Sequence, residues 1–360
     1  MEKTIISVSG YGATGSSAVV DYLKGFDEID VLDDFEFQLH YFPDGISDLD
    51  YHLNESCNRH YDSDVAICRF LELCRKLDHW YEPAFHGQLY EMAQDYINSL
   101  KPITWNGCWA IDRLNTPQSY IDRCNAENER IVKRNSQRRF ANRFLRRLHL
   151  PQFQQIPIKR YGDFFRNRAM YMSLKPDNFL KETQAFSNRM ITMASHKDVP
   201  VKVVNMLLPP QNPVRYFKYF DCPVKAIVTT RDPRDLYIHV KRLNWRVVPF
   251  DDVWTFVAWY KEMMKQSVNV DDDSVLRIAF EDMIYEYEDT TAQIRNFIGL
   301  ANKTDLTSSF DPHVSVANTQ HYKRFSEFRN DISIIERELS GYLYDFASHK
   351  EVVATTDVVF

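Results

Sequence analysis

Apolar and polar residues along the chain alternate between short runs typical of strands and longer stretches with helical spacing. Short runs rich in β-branched residues predict strands at 4–9, 201–205, 224–230 and 275–280, with a further strand possible at 29–35. Apolar residues recur at helical spacing in 16–26, 236–242, 253–268 and 290–298. This order predicts an α/β fold in three α/β/α layers, with a central parallel sheet covered by helices.

The stretch from 48 to 195 has a different pattern. It is rich in Tyr, Trp, Asn and Arg, contains few β-branched runs, and shows helical spacing at 65–77 and 89–100. We interpret it as a large helical insertion within a single domain of residues 1–360. The α/β core then comprises 1–47 and 196–330, and residues 348–360 are predicted to form a loosely held tail.

Charge is distributed unevenly along the sequence. Residues 130–147 contain eight Lys or Arg and no acidic residue, so this stretch carries +8 in a chain of net charge −6, and the remainder carries −14. The overall balance argues against a whole-surface nucleic-acid binder, and we expect no nucleic-acid partner. The basic stretch is either a solvated helix face or a site for an anionic partner, such as an acidic polysaccharide or a lipid headgroup.

Cysteine usage and hydropathy bear on the compartment. The six cysteines are widely spaced without a CxxC pair, which favours reduced thiols over a zinc site or a disulfide scaffold. No run of 18 apolar residues occurs, and the N-terminus lacks the pattern of a secretory leader. We therefore expect a soluble, cytoplasmic protein without a transmembrane segment.

Glycine is scarce in the chain but concentrated in one loop. Of ten glycines, Gly10, Gly12 and Gly15 fall within six residues, between a predicted strand and a predicted helix. The stretch from Gly10 to Ser17 has the G-x-x-x-x-G-K-[ST] spacing of a phosphate-binding loop, except that Ser16 stands at the lysine position. Such a loop binds an anion through its amides and the helix dipole. The loop residues expected to contact the anion are Gly12, Ala13, Thr14, Gly15, Ser16 and Ser17. The alternative is a glycine-rich turn without a ligand.

A second candidate anion element begins at the end of the strand predicted at 224–230. In the segment TTRDPRD, Arg231 directly follows this strand and precedes a predicted helix, so it should lie at the carboxyl edge of the sheet, where open α/β sheets bind ligands. An arginine at that position can bind a phosphate through two parallel hydrogen bonds. The alternative is a salt bridge between Arg231 and Asp235 at the start of the helix.

Together the two elements resemble the sulfotransferases that use 3′-phosphoadenosine 5′-phosphosulfate (PAPS) as donor. SGYGATGSSAVVDYL (9–23) is similar to that family's 5′-phosphosulfate loop, and KAIVTTRDPRDLYIHVKR (225–242) to its 3′-phosphate segment. Weaker similarities cover AFEDMIYEYEDTTAQIRNFIGL (279–300) and FDPHVSVANTQHYKRF (310–325). The resemblance implies a P-loop-like sulfotransferase fold, PAPS as donor and no metal requirement. It covers about half the chain and says nothing about the predicted insertion.

The resemblance assigns donor contacts and also shows departures. It implies that Arg231 and His239 bind the 3′-phosphate, with His239 standing where the family has a serine, and that Ser315, Asn318 and Lys323 close over it. The family's loop lysine aligns with Ala13, so the cation near the transferred group must come from elsewhere. The candidates for that cation are Lys202, Lys159, Arg160 and Lys323.

The sequence assigns the catalytic base and the acceptor site less narrowly than the donor contacts. Glu36 and His40 are candidate bases because both follow the strand predicted at 29–35 and could face the donor; alternatively, Glu36 orients a loop and His40 is an interior histidine. The insertion is the expected acceptor region, with Arg138, Arg139, Lys159 and Arg160 as tentative substrate contacts. The acceptor is expected to be a carbohydrate, such as an anionic or lipid-linked glycan.

Two other functions fit parts of the pattern. One is a nucleotide-binding or anion-binding protein without transferase activity, which Ala13 makes plausible. The other is an ATP-dependent, kinase-like phosphotransferase, against which the Ser16 substitution counts because the lysine that reaches the β- and γ-phosphates is missing. The sequence leaves the oligomeric state open.

Overall fold

The protein forms two compact units. The computed structural model describes residues 3–109, 112, 116–158, 168–267, 273–300 and 309–354. One unit, here called the sheet unit, comprises Met1–Tyr51, Arg69–Leu100 and Asp177–Phe360; the second unit comprises His52–Cys68 and Lys101–Pro176.

The sheet unit is built on five parallel strands. These are β1 (Thr4–Gly10), β2 (Ile29–Leu32), β5 (Val201–Asn205), β6 (Val224–Thr230) and β7 (Val275–Ala279), in the spatial order β2-β5-β1-β6-β7. At the carboxyl edge, Gly10 lies opposite Thr229, and Thr230 lies opposite Ala279. The second unit contains an antiparallel pair, β3 (Ile103–Gly107) and β4 (Arg168–Met172).

Helices make up most of the remaining described chain. The α-helices are α1 Ser16–Leu23, α2 Ile46–Asp50, α3 Asp62–Trp80, α4 Glu82–Phe85, α5 Leu89–Ser99, α6 Gln118–Arg147, α7 Phe179–Ala194, α8 Pro233–Leu243, α9 Val253–Gln266, α10 Asp282–Tyr285, α11 Tyr287–Ile298, α12 Pro312–Ser315, α13 His321–Arg324 and α14 Arg329–Glu338. A π-helix occupies Tyr51–Glu55, and short 3₁₀ helices occupy Gln38–His40, Pro213–Tyr219, Val316–Asn318, Ser326–Phe328, Ser340–Tyr342 and Phe346–Ser348.

Two apolar cores lie on opposite faces of the parallel sheet. Successive residues of a strand point to opposite faces, and in β6 Ile227 belongs to one core while Val228 belongs to the other. The first core includes residues of α1, α10 and α11, and the second includes residues of α8, α9 and α14. The predicted α/β class with a central parallel sheet is therefore confirmed, and helices cover both of its faces.

The topology opens a crevice at the carboxyl edge between β1 and β6. These strands are neighbours, yet the chain after β1 enters α1 in one core, and the chain after β6 enters α8 in the other. Open α/β sheets bind ligands at such a divergence of connections. The glycine loop follows β1 and Arg231 follows β6, so both line this crevice.

Some predicted boundaries differ from the structure. The strand predicted at 29–35 ends at Leu32, and beyond it Phe35 stacks on Phe37 and Tyr81, each with ring centroids 4.2 Å apart. The predicted tail is held as far as it is described, because His349 Nδ1 lies 2.6 Å from Glu286 and the Val353 carbonyl lies 3.1 Å from His313 Nδ1.

The stretch predicted as one insertion is divided between the two units. Residues 69–100 and 177–194 cluster with the sheet, because α5 and α7 are amphipathic and pack together. The rings of Tyr96 and Phe186 stack 4.9 Å apart, and Tyr96 Oη lies 2.7 Å from Thr183 Oγ1. The pattern also failed to predict β3 and β4, whose mostly exposed residues lack the alternation of a half-buried strand.

Candidate functional site

The glycine loop between β1 and α1 curls through left-handed backbone conformations. Gly12, Ala13 and Gly15 have φ values of +93°, +52° and +80°. A Cβ atom at Gly15 would lie 2.3 Å from Cδ2 of Phe280, so this position requires glycine for space as well as conformation. The structure shows no hydrogen bond from the backbone N–H groups of residues 12–17 to any residue that it describes. The loop therefore presents a row of amides that can bind an anion.

Thr14 stabilises the conformation of the glycine loop. Its side chain is buried, its hydroxyl accepts a hydrogen bond of 3.0 Å from the Tyr11 amide, and it lies 3.3 Å from the Thr229 hydroxyl. This hydroxyl, predicted to contact the anion, instead ties the loop to the end of β6. The neighbouring Ser16 and Ser17 are more exposed than Thr14.

Arg231 joins the glycine loop to a C-terminal loop. Its side chain is only 6% exposed; Nη1 donates to the Ala13 carbonyl at 3.0 Å, and Nη2 donates to the Asn318 carbonyl at 2.6 Å. Arg231 and Asp235 are both described and form no salt bridge, although the Asp235 charge acts on the guanidinium. Among the residues that the structure describes, Arg231 Nε has no hydrogen-bond partner although it is buried. A buried unsatisfied donor is costly, which favours an acceptor atom from a ligand.

Two buried carboxylates, those of Asp235 and Glu281, lie near Arg231. Asp235 accepts hydrogen bonds of 2.7 Å from the amides of Gln320 and His321, and Glu281 accepts one of 3.0 Å from the Asp232 amide. Burial raises the pKa of Asp235 to about 7 and that of Glu281 to about 8. These carboxylates fix the C-terminal loop and the start of α8 and so position Arg231.

A cavity of about 490 Å³ lies in the crevice and brings three predicted segments together. We call it the first cavity. Seven predicted donor contacts line it: Ala13, Gly15, Ser17, Arg231, His239, Ser315 and Asn318. They come from the glycine loop, the start of α8 and the α12 region, which are far apart in sequence. Gly12 does not line this cavity, and its backbone is covered by Trp245, whose ring would lie 3.2 Å from an added Cβ.

Two histidines lie near Arg231. The rings of His239 and His321 stack nearly parallel, with centroids 6.2 Å apart. His321 is fully buried, and within the described ranges neither of its ring nitrogens has a hydrogen-bond partner. Burial, followed by the nearby charges of Arg231 and Arg242, lowers the pKa of His239 to about 4. Burial, Arg231 and then its neighbours His239, Arg242 and Arg324 lower the pKa of His321 to about 3.

This shift predicts a pH dependence of stability that His321 contributes. Because its pKa is lower in the folded state, the unfolded chain takes up the proton first as the pH falls below about 6.5. We expect the free energy of unfolding to fall below that pH, relative to His321→Phe, by up to about 1.4 kcal/mol per pH unit. Chemical denaturation of both proteins across a pH series measures this difference. A difference that stays constant with pH would contradict the assignment.

A second cavity of about 350 Å³ also borders the glycine loop. It shares lining residues with the first cavity, including Ala13, Ser17 and His239, and it includes Thr14 and Ser16. Glu36 lies in its wall with an exposed carboxylate, and partial loss of solvent raises the pKa of that carboxylate. Glu36 is therefore the predicted base that the structure brings to the loop.

His40, the other predicted base, lies away from both cavities. It is buried, its Nε2 is 2.9 Å from the Ser187 hydroxyl, and its ring packs 4.8 Å from that of Phe220. Burial lowers its pKa to about 3. The structure thus supports the alternative of an interior histidine for His40.

The predicted replacements for the loop lysine do not reach either cavity where they are described. Lys202 is in the amino half of β5, far from the carboxyl edge of the sheet where the cavities lie. Its ammonium group pairs with Asp30 at 2.9 Å. Lys323 is exposed and lines a separate cavity beside Arg324 and Lys350. Lys159 and Arg160 lie outside the described residues.

The tentative substrate contacts Arg138 and Arg139 belong to α6 in the second unit. Arg138 Nη1 donates to the Gln154 carbonyl at 2.6 Å, and Arg139 is exposed.

Sequence reasoning missed several residues of these cavities. Phe280 follows β7 directly, so the rule that located Arg231 also applies to it. Trp245 and Leu243, in the wall of the second cavity, lie at the end of α8, where no motif marked them. His321 lines neither cavity, and the sequence pattern around it does not indicate that it is buried.

Comparison with known proteins adds no assignment. Neither a family model nor a curated protein matches the chain. Among the described residues, no helix is both long and apolar enough to cross a membrane.

Proposed function

We propose that the protein is a PAPS-dependent sulfotransferase with a P-loop-like core, transferring a sulfuryl group to a hydroxyl or amine of an acceptor, expected to be a carbohydrate. The observation that carries this proposal is the position of Arg231. It donates to carbonyl groups of both the glycine loop and the Asn318 loop, and it retains an unpartnered, buried Nε among the described residues.

The hydrogen-bond donors around the two cavities that share the glycine loop fit a ligand with two separate anionic groups. One set consists of the N–H groups of residues 12–17 at the start of α1, where the helix dipole also favours an anion. The other consists of Arg231 Nε with His239, and both residues lie in the wall of the first cavity. PAPS has a 5′-phosphosulfate and a 3′-phosphate, which match these two sets in chemistry. Ser315 and Asn318 lie in the wall of the first cavity and would contact the part of the donor between its two anionic groups.

The second cavity suits the acceptor side of the reaction. The bound donor supplies the sulfuryl group. Glu36, at the wall of this cavity, would accept the proton of the acceptor hydroxyl, and its raised pKa makes it a better base than an ordinary carboxylate. The loop amides would stabilise negative charge that develops on the leaving phosphate. The partly exposed ring of Trp245 offers a surface for stacking a sugar.

One observation favours a second candidate function, an anion-binding or nucleotide-binding protein without transfer. Ala13 occupies the loop-lysine position, and the described lining of the second cavity contains Asp21, Asp33 and Glu36 but neither lysine nor arginine. Without a cation there, a bound donor would remain unreacted. Transfer would therefore need a cation that the described lining of the second cavity does not supply.

Ligand-dependent thermal stability tests the proposal. At about 100 times its dissociation constant, adenosine 3′,5′-bisphosphate should stabilise the folded protein by about 2.7 kcal/mol. Adenosine 5′-monophosphate, which lacks the 3′-phosphate, should give a much smaller shift in melting temperature. Equal shifts for the two nucleotides, or no shift for either at millimolar concentration, would overturn the proposal. Incubation with PAPS and candidate glycans then distinguishes transfer from binding alone.

A further inference from the structure

A hairpin in the second unit forms a surface that the proposed reaction does not use. We call residues 130–158 the basic hairpin: it comprises the carboxyl-terminal part of α6, a turn at His149 with φ +56°, and an extended return. The side chain of Asn135 exchanges hydrogen bonds of 2.7 and 2.8 Å with the backbone of Ile156, and Asn142 does so with Phe153 at 2.8 and 2.7 Å. These hydrogen bonds therefore fix the returning segment along the helix.

The basic hairpin carries only positive formal charge. Its eight Lys and Arg residues all lie on α6, and no acidic residue occurs from 130 to 158. Arg139, Arg143, Arg146 and Arg147 are exposed in the last turns of the helix. Cations concentrated at a helix carboxyl terminus gain from its dipole, yet this many like charges repel one another unless an anionic partner lies against them.

The tip of the hairpin also exposes large apolar side chains. Phe140 is 77% exposed, Phe144 65% and Leu148 56%, and their i, i+4, i+8 spacing places them along one side of α6. Leu150 and Phe153 continue the exposure beyond the turn, at 49% and 55%. An exposed apolar cluster of this kind, surrounded by cations, is typical of a surface that binds a partner.

We propose that the basic hairpin is a docking surface for a bilayer rich in anionic lipid, into which its tip inserts at headgroup depth. Interfacial helices combine Lys and Arg with Phe and Leu, because the cations pair with lipid headgroups while the apolar side chains enter the acyl boundary. Both features are present here on one rigid element.

Charge and chemistry favour this occupant over the alternatives. A symmetric contact between the hairpins of two copies would bring +8 against +8, which is repulsive. Heparin would neutralise the arginines but leave the exposed Phe and Leu side chains in water. RNA could also stack bases on Phe144 but would leave Leu148 and Leu150 in water. An anionic membrane satisfies both sets of side chains.

Vesicle co-sedimentation of the full chain tests the proposal. The protein should bind vesicles of phosphatidylcholine with phosphatidylserine, and much less those of phosphatidylcholine alone. Phe140→Ser with Phe144→Ser should weaken binding by about tenfold or more, because two apolar side chains no longer leave water. Arg139→Gln with Arg143→Gln should also weaken it, by about fivefold for each charge removed.

Control substitutions outside the basic hairpin show whether weaker vesicle binding is specific to the hairpin. Trp80 is 73% exposed in the sheet unit and Arg75 is an exposed arginine there, so Trp80→Ser and Arg75→Gln should bind vesicles like the wild type. The proposal is overturned if the Phe140/Phe144 variant binds vesicles as tightly as the wild type. It is also overturned if that variant loses self-association instead, or if the wild type prefers RNA or heparin to the vesicles.

Discussion

Replacing Arg231 by alanine weakens the binding of adenosine 3′,5′-bisphosphate by about 30-fold or more. Truncating one partner of a buried, hydrogen-bonded charge pair costs about 2 to 5 kcal/mol, and 1.4 kcal/mol corresponds to tenfold in affinity. Arg231 is almost fully buried in the wall of the first cavity and has a donor without a described partner. Isothermal titration calorimetry on the purified protein measures the change.

Arg234 provides the matched control for Arg231. It lies in the same segment and is similarly buried, at 8% exposure, but it pairs with Asp232 and Glu336 and lines neither cavity. Arg234→Lys should lower the melting temperature while leaving affinity for the bisphosphate nearly unchanged. Arg231→Lys keeps the charge and provides a milder variant if the alanine variant does not fold. Undiminished affinity in a folded Arg231→Ala protein would refute the assignment of the phosphate site.

Replacing Glu36 by glutamine lowers the rate of sulfuryl transfer by about 10²- to 10⁴-fold, the usual contribution of a general base. Glutamine keeps the size and hydrogen-bonding capacity of the side chain but cannot take up the acceptor proton. Because Glu36 lines the second cavity and not the first, affinity for the bisphosphate should be unchanged. Initial rates with PAPS and a glycan acceptor, together with calorimetry, separate the two quantities.

Asp33→Asn is the control for Glu36→Gln. Asp33 lines the same cavity, but its carboxylate is already paired with Lys24 at 2.6 Å. Its loss should change the transfer rate by much less than the loss of Glu36. Equal losses for the two variants would show that the negative charge of the cavity matters and that neither carboxylate acts as the base.

The sequence predicted the elements around the candidate site well because their signals are local. Short runs rich in β-branched residues predict the strands β5 and β6 with the bounds 201–205 and 224–230 that the structure has. The glycine loop was recognisable because left-handed backbone positions and the contact with Phe280 restrict the residue type at Gly15. The carboxyl-edge rule then predicted that this loop and Arg231 lie near each other.

Other features depend on packing between distant segments, which one sequence does not display. Thr14 and Ser16 look equivalent as loop hydroxyls, but only the fold shows that Thr14 faces Thr229. Glu36 and His40 both follow β2, yet one reaches the second cavity and the other packs beneath Phe220. Composition predicts that α5 and α7 belong to the insertion, whereas in the structure both helices belong to the sheet unit.

The central claim is that one donor spans the glycine loop and Arg231, and a crystal structure with adenosine 3′,5′-bisphosphate tests it most directly. We expect the 5′-phosphate against the amides of residues 12–17, and the 3′-phosphate within hydrogen-bond distance of Arg231 and His239. A bisphosphate bound elsewhere, or bound with no contact between its 3′-phosphate and Arg231, would contradict the account.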